Sequence, residues 1–373
     1  MSQTNQKNFI DDNDINDEED IAFEDTDFKE KITEPFDPSK IRVESKQLSV
    51  DWLLNRIKEG ELELTPDFQR KAGLWKDDAQ SQLIESLLIR IPLPAFYMDA
   101  TNDDKWLVVD GLQRLTTLKR FVLDKTLRLR DLEFLQHLEG KTYDEIVRHL
   151  QRRINETQLT VYLIDEGTPA DVKFNIFKRI NTGGLPLSPQ EIRHALYQGN
   201  ATQLLAKLAD SDEFKKVTAN RISNERMEDR AFILRLFVGS SHYSKHKNIG
   251  NSLESSNILN NAMTTLNKMS VDELGFVEKQ FQQLLSIIYA IFGTNALIKT
   301  YRSMRQGNGY NKFFLESFFI NLSTLNDSQL QLIVKQKNTI KMNFKKLVNN
   351  HKVSYLYHHR FTKIKQLIEE VLA

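Results

Sequence analysis

The period of the apolar residues changes near residue 200 of this 373-residue chain, and that change constrains the fold more than any other feature. Upstream, Leu62 alternates with Leu64, and short apolar runs occupy 95–98, 106–109 and 159–164, the pattern of strands. Helical patterns lie between them. Ser49 is placed to cap a helix through Trp52, Leu53 and Ile57 that stops at Gly60. Ala79, Leu83, Ile84, Leu87 and Leu88 share one helical face, closed by Pro92 and Pro94. Leu115, Leu118 and Val122 repeat that spacing. Thr168-Pro169-Ala170-Asp171 and Ser188-Pro189-Gln190-Glu191 each combine an N-cap, a proline at N1 and an acid at N3. Downstream of residue 200 the patterns are nearly all helical, with another capping box from Ser270 to Glu273. The expected class is α+β, with a mixed domain over 41–200 and a mainly α-helical domain over 201–373.

Charge divides the chain differently. Residues 1–37 carry 13 acids against 3 lysines while the whole chain is neutral, so the tail is −10 and the body +10. A segment so acidic and so poor in apolar periodicity is expected to be a disordered, solubilising tail over 1–40. A sharper alternative is that it mimics nucleic acid and covers a basic groove. The chain has no cysteine, which excludes disulfides, thiolate zinc sites and thiol catalysis and fits the cytoplasm. The acidic N-terminus lacks the apolar core of a secretory signal. The uncharged stretch 284–298 contains Gly293, Thr294 and Asn295, too short and too polar for a bilayer core of about 30 Å, so it reads as a buried helix and no membrane partner is expected.

The strongest local chemistry lies at Asp110-Gly111-Leu112-Gln113-Arg114, where an apolar strand enters an Asp-Gly turn and a helix follows. The first N–H groups of such a helix attract anions, and phosphate fits. Arg114 in the first turn could grip phosphate oxygens, and Gln113 could orient a water or a phosphate oxygen. Asp110 could hold Mg²⁺ bridging phosphates, because magnesium sites often use one carboxylate plus waters. The alternative is a structural turn with Arg114 salt-bridged locally.

Four separated blocks, in order, resemble the GmrSD-type restriction endonuclease N-terminal domain family. They are Phe68-Gln69-Arg70 with Trp75; Gln82 to Leu88 leading to Ile91-Pro92-Leu93-Pro94; Val108 to Leu118 around the Asp-Gly turn; and Ile180 to Ser188. The resemblance covers about residues 45 to 200 and is specific because chance seldom orders four motifs. Glu228-Asp229 with Leu234-Arg235 is similar to a later, looser block of the family. What it implies is a ParB/sulfiredoxin-like fold whose Asp-Gly turn binds or hydrolyses a nucleoside triphosphate, in prokaryotic restriction of modified phage DNA. On that resemblance Asp110, Gln113 and Arg114 are the catalytic candidates. Gln69, Arg70, Gly111, Arg114, Thr116, Asn181, Thr182, Gly183 and Gly184 are the nucleotide-binding ones. The family usually has Gln where this chain has Leu112, which removes that side chain from the comparison.

Rival readings stay open. One is a non-catalytic sensor or adaptor recruiting a separately encoded nuclease; the other is direct cleavage of DNA in the same pocket. Many relatives carry an HNH-type nuclease domain, whereas His242 with His246, and His351 with His358 and His359, read as surface or packing residues rather than a metal set. No Walker A pattern is present. Residues 330–373 hold 9 Lys/Arg and 2 acids among Tyr355, Tyr357 and Phe361, a composition able to contact DNA, although Ile364, Leu367, Ile368 and Val371 also fit a packed helix.

Overall fold

In the computed structural model, described here over residues 42–64, 75–180, 187–243, 255–295, 312–349 and 357–373, one five-stranded mixed sheet accompanies fifteen α-helices. The acidic tail, Gln69, Arg70 and Asn181 to Gly184 lie outside the described residues.

The strands are β1 (Val43–Ser49), β2 (Leu62–Glu63), β3 (Phe96–Asp99), β4 (Trp106–Asp110) and β5 (Gln158–Ile164), arranged β1-β5-β3-β4-β2. β1 runs antiparallel to β5, β5 parallel to β3, β3 antiparallel to β4, and β4 parallel to β2. β1 escapes the sequence pattern because Val43 to Lys46 contribute almost no buried apolar surface; it is an edge strand, with Val43 opposite Ile164 and Ser49 opposite Gln158.

Helices α1 (Val50–Lys58), α2 (Asp77–Leu88), α3 (Leu112–Leu118) and α4 (Arg148–Glu156) cover one sheet face. Their core joins Leu53, Ile84 and Leu87 to Phe96, Met98, Val108, Leu118 and Val161. Ser49 caps α1 as its sequence implies, accepting from Trp52 N at 3.2 Å. α3 runs directly into a π-turn over Lys119–Leu123, so the helix read from Leu115, Leu118 and Val122 changes pitch partway.

Helices α5 (Ala170–Ile180) and α6 (Pro189–Leu196) cover the other face, where Val109 and Ile164 meet Phe174, Phe177 and Ile192. The capping box at Ser188 and Glu191 forms at the start of α6. The remaining helices are α7 (Asn200–Asp210), α8 (Asp212–Thr218), α9 (Glu228–Tyr243), α10 (Ser256–Lys268), α11 (Val271–Phe292), α12 (Lys312–Leu322), α13 (Asp327–Lys335), α14 (Lys337–Asn349) and α15 (Tyr357–Leu372). They enclose a separate core that includes Leu205, Phe232, Ile288, Phe318 and Ile364. The buried helix expected over 284–298 is the end of α11 and stops at Phe292, where Gly293 takes φ +60°.

Candidate functional site

Asp110 is the last residue of β4, and a register shift in β3 against β4 sets it. Asp99 faces Leu107 and Met98 faces Val108, but Tyr97 faces Asp110, so β4 carries one extra residue and bulges where the Asp-Gly turn begins. Gly111 then adopts φ +98°, and a Cβ there would collide with the Phe96 ring. Both facts require glycine: the conformation is left-handed and the neighbour is a fully buried aromatic.

The turn aims Arg114 back across the sheet end. Its Nη2 donates to Asp110 Oδ2 at 2.7 Å and to the Ala95 carbonyl at 3.2 Å, and its Nη1 donates to the carbonyls of Pro94 and Ala95. The guanidinium lies 4.4 Å from the Phe96 ring centroid, and the residue is only 8% exposed. Arg114 is thereby a brace between the 94–95 backbone and Asp110. Burial pushes the Asp110 carboxyl above the ordinary carboxylate range, and the Arg114 charge with the Gly111 N–H offsets only part of that push. Burial likewise lowers Arg114, opposed by Asp110. The pair is held in place, and burial disfavours the ionised acid by more than Arg114 and the Gly111 N–H return.

Gln113 does a second positioning task. Its Oε1 accepts from the Trp75 backbone N–H at 3.1 Å, while Gln80 Nε2 donates to the Trp75 carbonyl at 2.6 Å. Trp75, where the described residues resume, is thus tied to the Asp110 turn. Thr116 is half-buried on α3, and Leu112 is a partly buried contact of the first core rather than a polar group of the site.

Sequence reasoning did not find Tyr97 and Tyr162. Their rings stack at 5.0 Å with an interplanar angle of 20°, and burial, then Tyr162, then Asp110 raise the Tyr97 hydroxyl above its ordinary pKa. The signal was Tyr at matching positions of two neighbouring strands, invisible without the β3–β5 register that pairs them. The carbonyls of Pro94 and Ala95 were equally hidden, since the prolines read as helix terminators.

Among the described residues no group of three or more His, Asp or Glu is arranged to hold a metal. Asp110 by itself suits Mg²⁺ shared with phosphate oxygens and water, but not a cation held by protein ligands alone.

Residues 50–198 match the family model for the GmrSD restriction endonuclease, N-terminal domain. That part of the chain belongs to the GmrSD N-terminal domain family. The match contains the Asp110 turn, its Pro94–Ala95 brace and the sheet that carries both. By that description, the matched region is of a domain type found in a restriction endonuclease. No curated protein and no solved structure matches the chain. No helix among the described residues is long and apolar enough to cross a membrane.

Proposed function

We propose that the 50–198 region is a ParB/sulfiredoxin-like domain that binds a nucleoside triphosphate with Mg²⁺ at the Asp110 turn. The chain then serves as the nucleotide-handling, NTP-hydrolysing component of a DNA-targeting restriction system. One observation carries the reading: a half-buried carboxylate at a strand end, fixed by a clamped arginine, whose burial outweighs its ion pair. Such a site gains from a cation that brings its own anionic oxygens. Magnesium there would neutralise phosphate charge; Asp110 would supply the protein ligand, Arg114 would hold that ligand's orientation, and Gln113 would keep the neighbouring Trp75 backbone in place.

A nucleotide-sensing adaptor is the second reading, and Gln113 favours it. Its amide oxygen is engaged by Trp75, and Leu112 packs into the core, so neither side chain presents an oxygen to an attacking water.

Isothermal titration with ATP and with GTP, with and without Mg²⁺, tests nucleotide binding. The wild-type chain is expected to bind one of them more tightly with Mg²⁺, and Asp110→Asn to lose that increment by at least about tenfold, or 1.4 kcal/mol. Magnesium-independent binding, or an increment unchanged in Asp110→Asn, removes the assignment. Phosphate release then separates the two readings, since an adaptor binds without turnover even when DNA is present.

A further inference from the structure

The last quarter of the chain is nearly free of acids. From Lys279 to Ala373 there are fourteen Lys/Arg and four acids, of which only Glu316 and Asp327 precede the terminal pair Glu369-Glu370. Glu316 is buried and paired with Arg235 at 3.2 Å, so it offers no charge to the surface. Asp327 sits in the first turn of α13, where a carboxylate complements the helix dipole.

α14 gathers the excess on one exposed side. Ile340 is fully buried, and Phe344 packs edge-on against Phe292, Phe314 and Phe318 at 5.1 to 5.4 Å, which fixes the helix's rotation. That rotation leaves Lys345, Lys346 and Met342 exposed, Lys341 on the flank and Lys337 exposed at the start, with Lys335 exposed just before it. None of these five lysines has an ion pair among the described residues, unlike Lys207, Lys215 and Lys216, which pair with Glu278, Asp210 and Asp212. Lys337, Lys341 and Lys345 follow one another at four-residue spacing, about 6 Å along the axis.

We propose that this lysine face of α14, entered through Lys335, docks the phosphate backbone of duplex DNA without reading its sequence. It is separate from the Asp110 site and does not rest on the nucleotide reading. A row of unpaired ammonium groups can neutralise successive phosphates and release their counterions. Lipid is the weaker fit, because an interfacial helix must bury an apolar face in the bilayer and the apolar side of α14 is already packed on Phe292 and Phe318. Met342, at 51% exposure, stands alone between lysines and asparagines. The restriction-type domain in the same chain makes DNA the polyanion of matching class.

The test measures binding of the full chain to a fluorescent random-sequence duplex across a salt series. The triple variant Lys341→Gln, Lys345→Gln, Lys346→Gln is expected to bind at least tenfold more weakly at low salt. It should also flatten the plot of log affinity against log salt by about 2 to 3 units, near 0.9 per lost contact. The triple variant Lys207→Gln, Lys215→Gln, Lys216→Gln changes net charge equally and is expected to leave the slope nearly unchanged. If the first variant loses its helical circular dichroism, Lys341→Arg, Lys345→Arg, Lys346→Arg takes its place and must keep the wild-type slope. Absence of DNA binding by the full chain, equal losses in the two glutamine variants, or binding to vesicles of equal phosphatidylglycerol and phosphatidylcholine in preference to DNA would each overturn the proposal.

Discussion

Asp110 and Arg114 make opposite demands on stability although they form one ion pair. Arg114 donates to two backbone carbonyls and a carboxylate from a nearly buried position, so truncating it orphans three acceptors and leaves an unpaired acid. Arg114→Ala is therefore expected to destabilise the chain by about 3 kcal/mol, read as a lowered urea midpoint, the range measured for breaking buried pairs from one side. A guanidinium facing phosphate in solvent could be removed without such a loss. Asp110 is different, because its raised pKa means that the folded state disfavours the ionised form. A carboxyl raised on folding contributes its stability below the unfolded pKa of about 3.9 and loses it as pH rises through the folded pKa. Asn keeps an acceptor for Arg114 without the charge, so Asp110→Asn should unfold at an equal or higher temperature than wild type at pH 7. That advantage should shrink as pH falls through the carboxyl's titration. A melting temperature well below wild type at pH 7 would mean that the charge is structural, and the functional reading of the carboxylate would lose its ground.

At the scale of elements, Glu85 performs for a loop what Arg114 performs for a turn. It is buried on α2 and accepts the backbone N–H groups of Glu133, Phe134 and Leu135 at 3.0, 2.8 and 2.7 Å, fixing the irregular connection between α3 and α4. Burial raises its pKa, but the three N–H donors outweigh that and leave the carboxyl below its ordinary value. Its stability is present above the unfolded carboxyl pKa and lost as pH falls through the folded one. Glu85→Gln should lower stability at pH 7 by about 1 to 3 kcal/mol, the cost of weakened charge-assisted bonds to a buried acceptor, with the deficit vanishing in acid; a pH-independent deficit would contradict it. Neither Glu85 nor that connection stood out in the sequence, because the partners are backbone groups some fifty residues away. What was legible followed from local rules: the Ser49 cap, the α2 face from Asp77 to Leu88, the Ser188 and Ser270 capping boxes, and the strand, turn and helix around Gly111. What was not legible depended on pairing. β1 shows as a strand only once β5 lies beside it, and Tyr97 meets Tyr162 only through strand register. The Asp110 turn was legible, and the locally salt-bridged Arg114 that the sequence offers as the alternative is the arrangement found; what stayed hidden is that the Pro94 and Ala95 carbonyls also point at it.

On the scale of the whole molecule, the boundary read near residue 200 meets a structure in which α6 belongs to both sides. Ile192 packs under the sheet with Phe174 and Val109, while Arg193, fully buried on the same helix, donates to Asn260 of α10 at 3.1 Å and lies 5.3 Å from the Phe174 ring. Asn260 in turn donates to Asp171 of α5 at 3.4 Å, and Arg226, just ahead of α9, donates to the buried Glu191 at 3.0 Å. Separating the halves would expose this polar set together with the apolar contacts around it, so their stabilities should be coupled. The sequence supplies its own probes for this. All three tryptophans, Trp52, Trp75 and Trp106, lie in the sheet-bearing half, whereas most helical residues follow residue 186. In urea, tryptophan fluorescence therefore reports the first half and circular dichroism at 222 nm weights the second. Coupled halves unfold in a single step, and the two signals should share one midpoint and one slope. Replacing Arg193 with Met, which keeps volume but removes the bonds to Asn260, should split the curves, with dichroism and fluorescence departing at different urea concentrations. Split curves already in the wild-type chain would show that each half folds on its own and that the α6 contacts are too weak to couple them.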